Sequence, residues 1–173
     1  MERLVDRYLR DEALAQMPSH TNQHAYQAGK LMETALHQLV VRVEKAPDQQ
    51  ETVLGVFLDM EGAFNDTCYC TTCNALVRHG NDCTIVRWIR ATWLRRPSIV
   101  LLEWLRYPED ARGEGVLSPL LWSFVVDDLI TRLSVTGIYI QGYADDICIL
   151  AVGRVPNTES GLMQWALLTV ETW

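Results

Sequence analysis

Asp145 and Asp146 stand side by side in Gln141-Gly142-Tyr143-Ala144-Asp145-Asp146, just ahead of the apolar run Ile147-Cys148-Ile149-Leu150. Short runs rich in β-branched and aromatic residues flank the pair, Ile138-Tyr139-Ile140 on one side and Ile147 to Val152 on the other. That pattern predicts a tight β-hairpin over about 137–152 with acid at its tip. Burying two like charges together is costly, and a divalent cation is the usual means of offsetting the cost. A third carboxylate, Asp59, closes the apolar run Thr52 to Met60, which reads as a buried central strand. Asp59 is far from the pair in sequence, so only the fold can join them. If the sheet sets the Asp59 strand beside the hairpin, the three acids converge at one end.

The chemistry available to such a group is metal-dependent phosphoryl transfer. Magnesium takes oxygen ligands and retains waters, so two or three carboxylates suit it. Two ions about 3.5–4 Å apart can clamp the attacking and leaving oxygens of an in-line displacement. Here those would be a primer 3′-hydroxyl and a departing pyrophosphate, with positioning and charge neutralisation doing most of the catalysis. Successive strand residues face opposite ways, so one acid of the pair is the principal ligand; we assign that role to Asp145 and a peripheral one to Asp146. Phe64 follows Asp59 past Gly62-Ala63 and could pack under the incoming sugar, selecting deoxynucleotides. The small pair would let backbone amides approach a triphosphate. Each piece has a plainer reading: an exposed turn at Tyr143–Asp146, a strand-end cap at Asp59, a core Phe64. Asp127-Asp128 reads as a solvated helix face, and Lys30, after Gly29, could reach a phosphate.

The elements that must position these residues follow from periodicity. Val5, Leu9, Ala13 and Met17 recur every four residues, predicting an amphipathic helix over 2–17. A second helix is expected over 31–46, with Met32, Leu36, Leu39 and Val43 on its apolar face and Pro47-Asp48 ending it. Weaker helical patterns cover 71–79 and 84–95. Segment 97–114 has no clear period, although Ile99 to Leu102 could be a strand. Ser118 as N-cap and Pro119 in the first turn open a largely apolar, buried helix running to about Ser134. A last helix begins near Asn157 or Thr158, with Leu162, Trp165 and Thr169 on one side. Strands mixed with packed helices give an α+β class: a small antiparallel sheet with helices on one face.

Composition narrows the classes further. The chain has 173 residues, 49% of them hydrophobic, and suits one domain. A net charge of −7 argues against strong unaided nucleic-acid binding, yet accords with an acidic active site. No uncharged apolar run approaches the roughly 20 residues that span a bilayer, and the charged start lacks the apolar core of a signal peptide. No membrane association is expected, and the location is expected to be intracellular, cytoplasmic or nuclear. Cys68, Cys70 and Cys73, with Cys83 or His79 as a fourth ligand, invite a zinc reading. The spacing is not that of a standard finger, and ordinary reduced thiols are the better reading. The odd total of five cysteines argues against a disulfide framework. Asn65-Asp66-Thr67 matches a glycosylation acceptor, inert without secretion.

Four segments together carry a resemblance. Gln23-His24-Ala25-Tyr26-Gln27-Ala28-Gly29-Lys30 with Glu33-Thr34-Ala35-Leu36, Phe57-Leu58-Asp59-Met60-Glu61-Gly62-Ala63-Phe64, Gly115-Val116-Leu117-Ser118-Pro119-Leu120-Leu121-Trp122 and Tyr143-Ala144-Asp145-Asp146 occur in that order. The chain resembles the reverse transcriptase domain of non-LTR, jockey-like retrotransposons, over about residues 20 to 165. The resemblance implies a partial reverse transcriptase domain. Residues 1–50 would be the helices at the border of fingers and palm, and 51–173 the palm; most of the fingers and the thumb would be lacking. It implies RNA-directed DNA synthesis with two Mg²⁺ or Mn²⁺ ions on Asp59, Asp145 and Asp146. It places Met60, Gly62, Ala63, Phe64, Gly115, Tyr143 and Ala144 around the nucleotide and primer end. The implied partners are an RNA template, a DNA primer and deoxynucleoside triphosphates.

Departures from the family pattern qualify that expectation. Phe64-Asn65-Asp66 stands where the family reads Phe-Asp-Asn. Leu31-Met32 replaces a hydroxyl pair that would cap a helix, a loss of about 1 kcal/mol. Arg112-Gly113-Glu114 replaces Pro-Gln-Gly and sets a negative charge where phosphates would pass. The alternative is a catalytically dead palm remnant persisting as a relic or interaction module.

Overall fold

The computed structural model describes residues 1–27, 29–61, 63, 67–94, 116–134 and 138–173. The elements in order are α1 (Glu2–Tyr8), a π-helical turn (Leu9–Ala13), α2 (Leu14–Gln16), α3 (Met32–Asp48), β1 (Thr52–Asp59), α4 (Tyr69–Arg78), α5 (Cys83–Leu94), α6 (Ser118–Ser134), β2 (Tyr139–Tyr143), β3 (Asp146–Gly153) and α7 (Pro156–Thr172). This is an α+β chain, and its described residues form one three-stranded antiparallel sheet. It forms two compact units, one of Met1–Ser19 with Gly62–Val125, the other of His20–Glu61 with Val126–Trp173.

The first unit holds the N-terminal helical stretch and α4–α5. Val5, Leu9 and Ala13 of the predicted stripe are buried, while Met17, beyond the helix end, is exposed. Phe124, fully buried in α6, packs its ring edge-on against His79 at 4.9 Å between centroids. The predicted strand at Ile99 to Leu102 falls outside the described residues.

The second unit holds the sheet, in the order β1-β3-β2. β3, not β1, is the central strand, and Ile147 to Ala151 are buried on both of its faces. The expectation of a central Asp59 strand is therefore corrected: β1 lies at an edge, and Phe57 is 75% exposed. A continuous apolar run looks the same at the centre and at the edge of a small sheet, because length and composition do not encode neighbours.

Helices lie against both faces, which corrects the one-face expectation. Gly142 points at Val126 and Ile130 of α6, and Gly153, on the same face by alternation and register, points at Glu159 of α7. Tyr139 points the other way, where the Arg42 guanidinium of α3 stacks 3.9 Å from its ring centroid. The Tyr139 hydroxyl donates to Gln141 Oε1 at 2.6 Å. The predicted stripes on two helices are also shifted. α3 buries Ala35 and Ala46 while Met32, Leu36 and Val43 are exposed, and α7 buries Glu159, Met163 and Ala166 while Trp165 is exposed. α3 runs through Pro47 in its last turn and ends at Asp48. Its missing hydroxyl cap is replaced from inside the helix. Thr34 Oγ1 accepts the Leu31 amide at 3.0 Å and donates to the Leu31 carbonyl at 2.6 Å.

The outer edge of β2 is covered by the loop 20–24. Gly142 donates to the Asn22 carbonyl (3.1 Å), His24 donates to the Gly142 carbonyl (2.9 Å), and Asn22 Nδ2 donates to the Ile140 carbonyl (2.9 Å). Lys30 pins this loop: its Nζ donates to the carbonyls of Gln23 (2.5 Å) and Thr21 (2.8 Å). The phosphate role suggested for Lys30 thus gives way to a structural one. Asp127 accepts the His20 amide at 2.5 Å and is 6% exposed. Asp128 accepts from Arg132 (2.9 Å) and from the Trp173 indole (3.3 Å). The solvated helix face expected for this acidic pair is corrected: an apolar helix buried nearly all round has no solvated face to offer at Asp127.

His24, 2% exposed, sits in the same loop. Burial and then the Lys30 charge hold its imidazole below the ordinary 6.5, with the Gln38 side chain opposing in part. In this window the unfolded chain binds the proton more readily than the folded one. The stability from neutral His24 is therefore complete above about pH 6.5 and is lost as pH falls towards the lower folded-state value. The urea midpoint should fall from about pH 7 to about pH 5, and fall less in His24→Gln. Equal slopes in both proteins would refute this role.

Candidate active site

The acidic end of the sheet is built by two registers. β1 pairs with β3 so that Asp59 is opposite Asp146, and β2 pairs with β3 so that Tyr143 is opposite Asp146. Directly opposed residues in antiparallel strands project from the same face. Asp59, Asp146 and Tyr143 therefore share a face, across the width of the sheet at one end. Asp145 is in the two-residue turn, and the Met60 amide donates to its carbonyl at 3.1 Å, carrying the β1–β3 ladder one step past the acidic pair. The ladder thus makes Asp146, rather than Asp145, the cross-strand partner of Asp59.

Asp59 and Asp146 are exposed and Asp145 is half-buried. Burial, the premise for expecting a charge-neutralising cation, is absent at two of the three acids. The tip projects from the end of the sheet, where water screens the repulsion, and the same exposure leaves the carboxylates open to an approaching ligand.

Ala144 is the first central residue of the turn and has φ = +55°. Two-residue hairpins of this kind favour glycine there, because a Cβ crowds the carbonyl in the left-handed region. An alanine held in that conformation stores about 1 kcal/mol of strain at the tip.

Tyr26 belongs to this end of the unit, and sequence reasoning assigned it no role. It too has positive φ, +59°. Burial first, then the Asp145 carboxylate and Tyr143, push its phenol up from the ordinary 10.0. The strap of loop 20–24 on β2 brings it there. The signal was present in the segment Gln23 to Lys30, but a segment match does not say which side chain reaches the hairpin.

The other expected site residues are placed as follows. Met60 adjoins Asp59 and is tied to the turn. Ala63 lies in the first unit, buried, and its carbonyl accepts the Thr67 hydroxyl at 2.5 Å. Gly62, Phe64 and Gly115, and with them Asn65-Asp66 and Arg112-Gly113-Glu114, lie outside the described residues.

The donor set can be tested against the expected ion. Among the described residues no group of three or more His, Cys, Asp or Glu side chains forms a ready-made metal cage. Magnesium, however, is ordinarily held by one or two carboxylates plus substrate phosphates, with waters completing the shell. Two exposed carboxylates on one face, with a third in the adjoining turn, fit that requirement. They do not fit zinc, which prefers nitrogen and sulfur.

Among the described residues no helix is long and apolar enough to cross a membrane. No protein-family model matches the chain, and no curated protein matches it.

Proposed function

We propose that the chain carries a reverse transcriptase palm, of the class that joins deoxynucleotides to a primer 3′-hydroxyl on an RNA template. The single observation that carries this reading is the Asp59–Asp146 register with Asp145 in the adjoining turn. The four-segment sequence resemblance supports it independently. In this reading Asp59, Asp146 and Asp145 hold Mg²⁺ or Mn²⁺. Bound there, two such ions would supply Lewis-acid activation of the hydroxyl and stabilisation of the departing pyrophosphate.

The chain's own residues do the positioning. β1 and β3 fix the separation of Asp59 and Asp146 through a rigid ladder. The Met60 amide holds the turn against the end of β1, so the Asp145 carboxylate leaves from a fixed backbone. Tyr143, on the carboxylate face, offers an aromatic surface where the primer end would approach. Positioning of this kind is what an in-line phosphoryl transfer needs from a protein.

A second reading, a palm remnant acting as an interaction module, is favoured by Phe57, 75% exposed on β1, which is an edge strand among the described residues. Two measurements separate the readings. The polymerase predicts primer extension on an RNA template with Mg²⁺ or Mn²⁺, and a rise in melting temperature with millimolar metal, since binding to the folded state must stabilise it. The absence of both extension and a thermal response would overturn it in favour of the remnant.

A further inference from the structure

The strand register that gathers the carboxylates also fixes what lies behind them. One step in from the row Asp59–Asp146–Tyr143 is the row Phe57–Cys148–Gln141, and alternation puts both rows on the same face of the sheet. Cys148 and Gln141 are buried. Phe57 is not, and among the described residues it is the most exposed aromatic side chain. The next row in holds Gly55, Leu150 and Tyr139. Gly55 has no side chain, and a Cβ there would stand 3.1 Å from Leu150 Cδ2. Along β1 the Phe57 ring therefore has a carboxylate on one side and bare backbone on the other, so its own strand does not cover it.

An aromatic ring left in water forgoes the stabilisation that burial gives. Its position narrows what completes it. Phe57 and Asp59 are roughly 7 Å apart along the strand. A nucleoside whose 3′-hydroxyl lies at the Asp59 carboxylate has its base one sugar ring away, at the level of Phe57. The net charge of −7 gives the chain little hold on phosphates. Affinity for a strand then has to come from the bases, and stacking on an aromatic ring is the contact every base can make. Tyr143 lies in the acid row on β2, which leaves Phe57 as the aromatic on the Asp59 side.

We propose that Phe57 is the stacking platform for the 3′-terminal base of the primer strand, a positioning residue for the reaction proposed above. The inference rests on that reading. Stacking holds the terminal sugar so that its 3′-hydroxyl stays over Asp59 and Asp146, and the ring takes no part in making or breaking bonds. Because it meets the face of the base and not its edge, it discriminates little among the four bases.

The test uses the full chain with Mg²⁺ and no deoxynucleoside triphosphate, so that binding is read without turnover. The probe is a fluorescein-labelled DNA primer annealed to an RNA template, followed by anisotropy. Phe57→Ala should weaken binding about tenfold, and Phe57→Trp should restore it. Phe57→Leu, apolar but without a π-face, should stay near the alanine value. A primer ending in an abasic nucleotide should bind the parent and Phe57→Ala alike. Phe57 is exposed, so each variant should fold and keep the parent's thermal response to Mg²⁺. A variant that loses that response would make Phe57 a support of the acid row, not a platform. Leucine binding as well as phenylalanine, or an abasic end that leaves the parent's advantage intact, would overturn the proposal. So would a concentration-dependent dimer that Phe57→Ala dissolves, since a second copy would then be what covers the ring. The two readings fail separately. A parent chain with neither extension nor a thermal response overturns the polymerase and this inference with it. A parent chain that shows either one, but binds the primer no better than Phe57→Ala, overturns this inference alone.

Discussion

Asp59→Asn should abolish metal-dependent primer extension while making the metal-free protein slightly more stable. The two effects have one origin. Asp59 and Asp146 are direct cross-strand partners, and like charges so placed repel by about 0.2–1 kcal/mol. Both are exposed, so the lower half of that range applies. Removing one charge relieves the repulsion, and for a chain of this size the melting temperature should rise by about 1–2 °C without metal. The same change removes a charged oxygen donor from the proposed ion site. Loss of transition-state charge stabilisation worth several kcal/mol lowers extension by about a thousandfold or more. The thermal response to Mg²⁺ or Mn²⁺ should shrink in parallel. Asp146→Asn should behave alike. A variant that keeps extension, or loses it while the metal response is intact, would show that this pair does not hold the catalytic ions.

What the sequence made legible was the hairpin and its acids, because a two-residue turn between β-branched runs is a local signal. α6 was legible for the same reason: Pro119 near its start and an apolar composition all round predict burial without reference to any neighbour. Strand order was not legible. Whether β1 or β3 is central depends on pairing between distant segments, and both runs are apolar. The buried faces of α3 and α7 were misread because each helix is rich in apolar residues on several faces. Burial then selects small residues, Ala35, Ala46 and Ala166, which allow close approach to the sheet and weigh little in a periodicity count. The register of the acidic end was not legible: alternation along a strand says that Asp145 and Asp146 diverge and not which of them lies opposite Asp59. Tyr26 and the role of Lys30 were hidden for a related reason. Both act through a loop whose position is fixed by backbone bonds to β2, and backbone bonds leave no mark in residue type.

Gly142→Val should destabilise the second unit by about 1–3 kcal/mol, the cost of overpacking a filled site, and should disturb the acidic end without touching a carboxylate. A Cβ at Gly142 would stand 3.0 Å from Gln23 Oε1, 3.1 Å from Ile130 Cδ1 and 3.2 Å from Val126 Cγ1. Val126 and Ile130 are fully buried in α6, and Gln23 is fully buried beneath the loop, so none can withdraw into solvent. The pressure falls on the loop, whose hold on β2 is the pair of backbone bonds that Gly142 itself makes with Asn22 and His24. If the loop yields, Tyr26 loses its place beside Asp145 and Tyr143, and its phenol should titrate nearer the ordinary 10.0 than it does in the parent chain. Gly142→Ala should show the same effects at the lower end of the range. Equilibrium unfolding in urea gives the stability, and ultraviolet difference titration of the parent against Tyr26→Phe identifies the phenol. An unchanged urea midpoint in Gly142→Val would mean that the α6 face of β2 has room the geometry denies. A lowered midpoint with the Tyr26 titration unmoved would mean that the strap is not what positions Tyr26 at the hairpin.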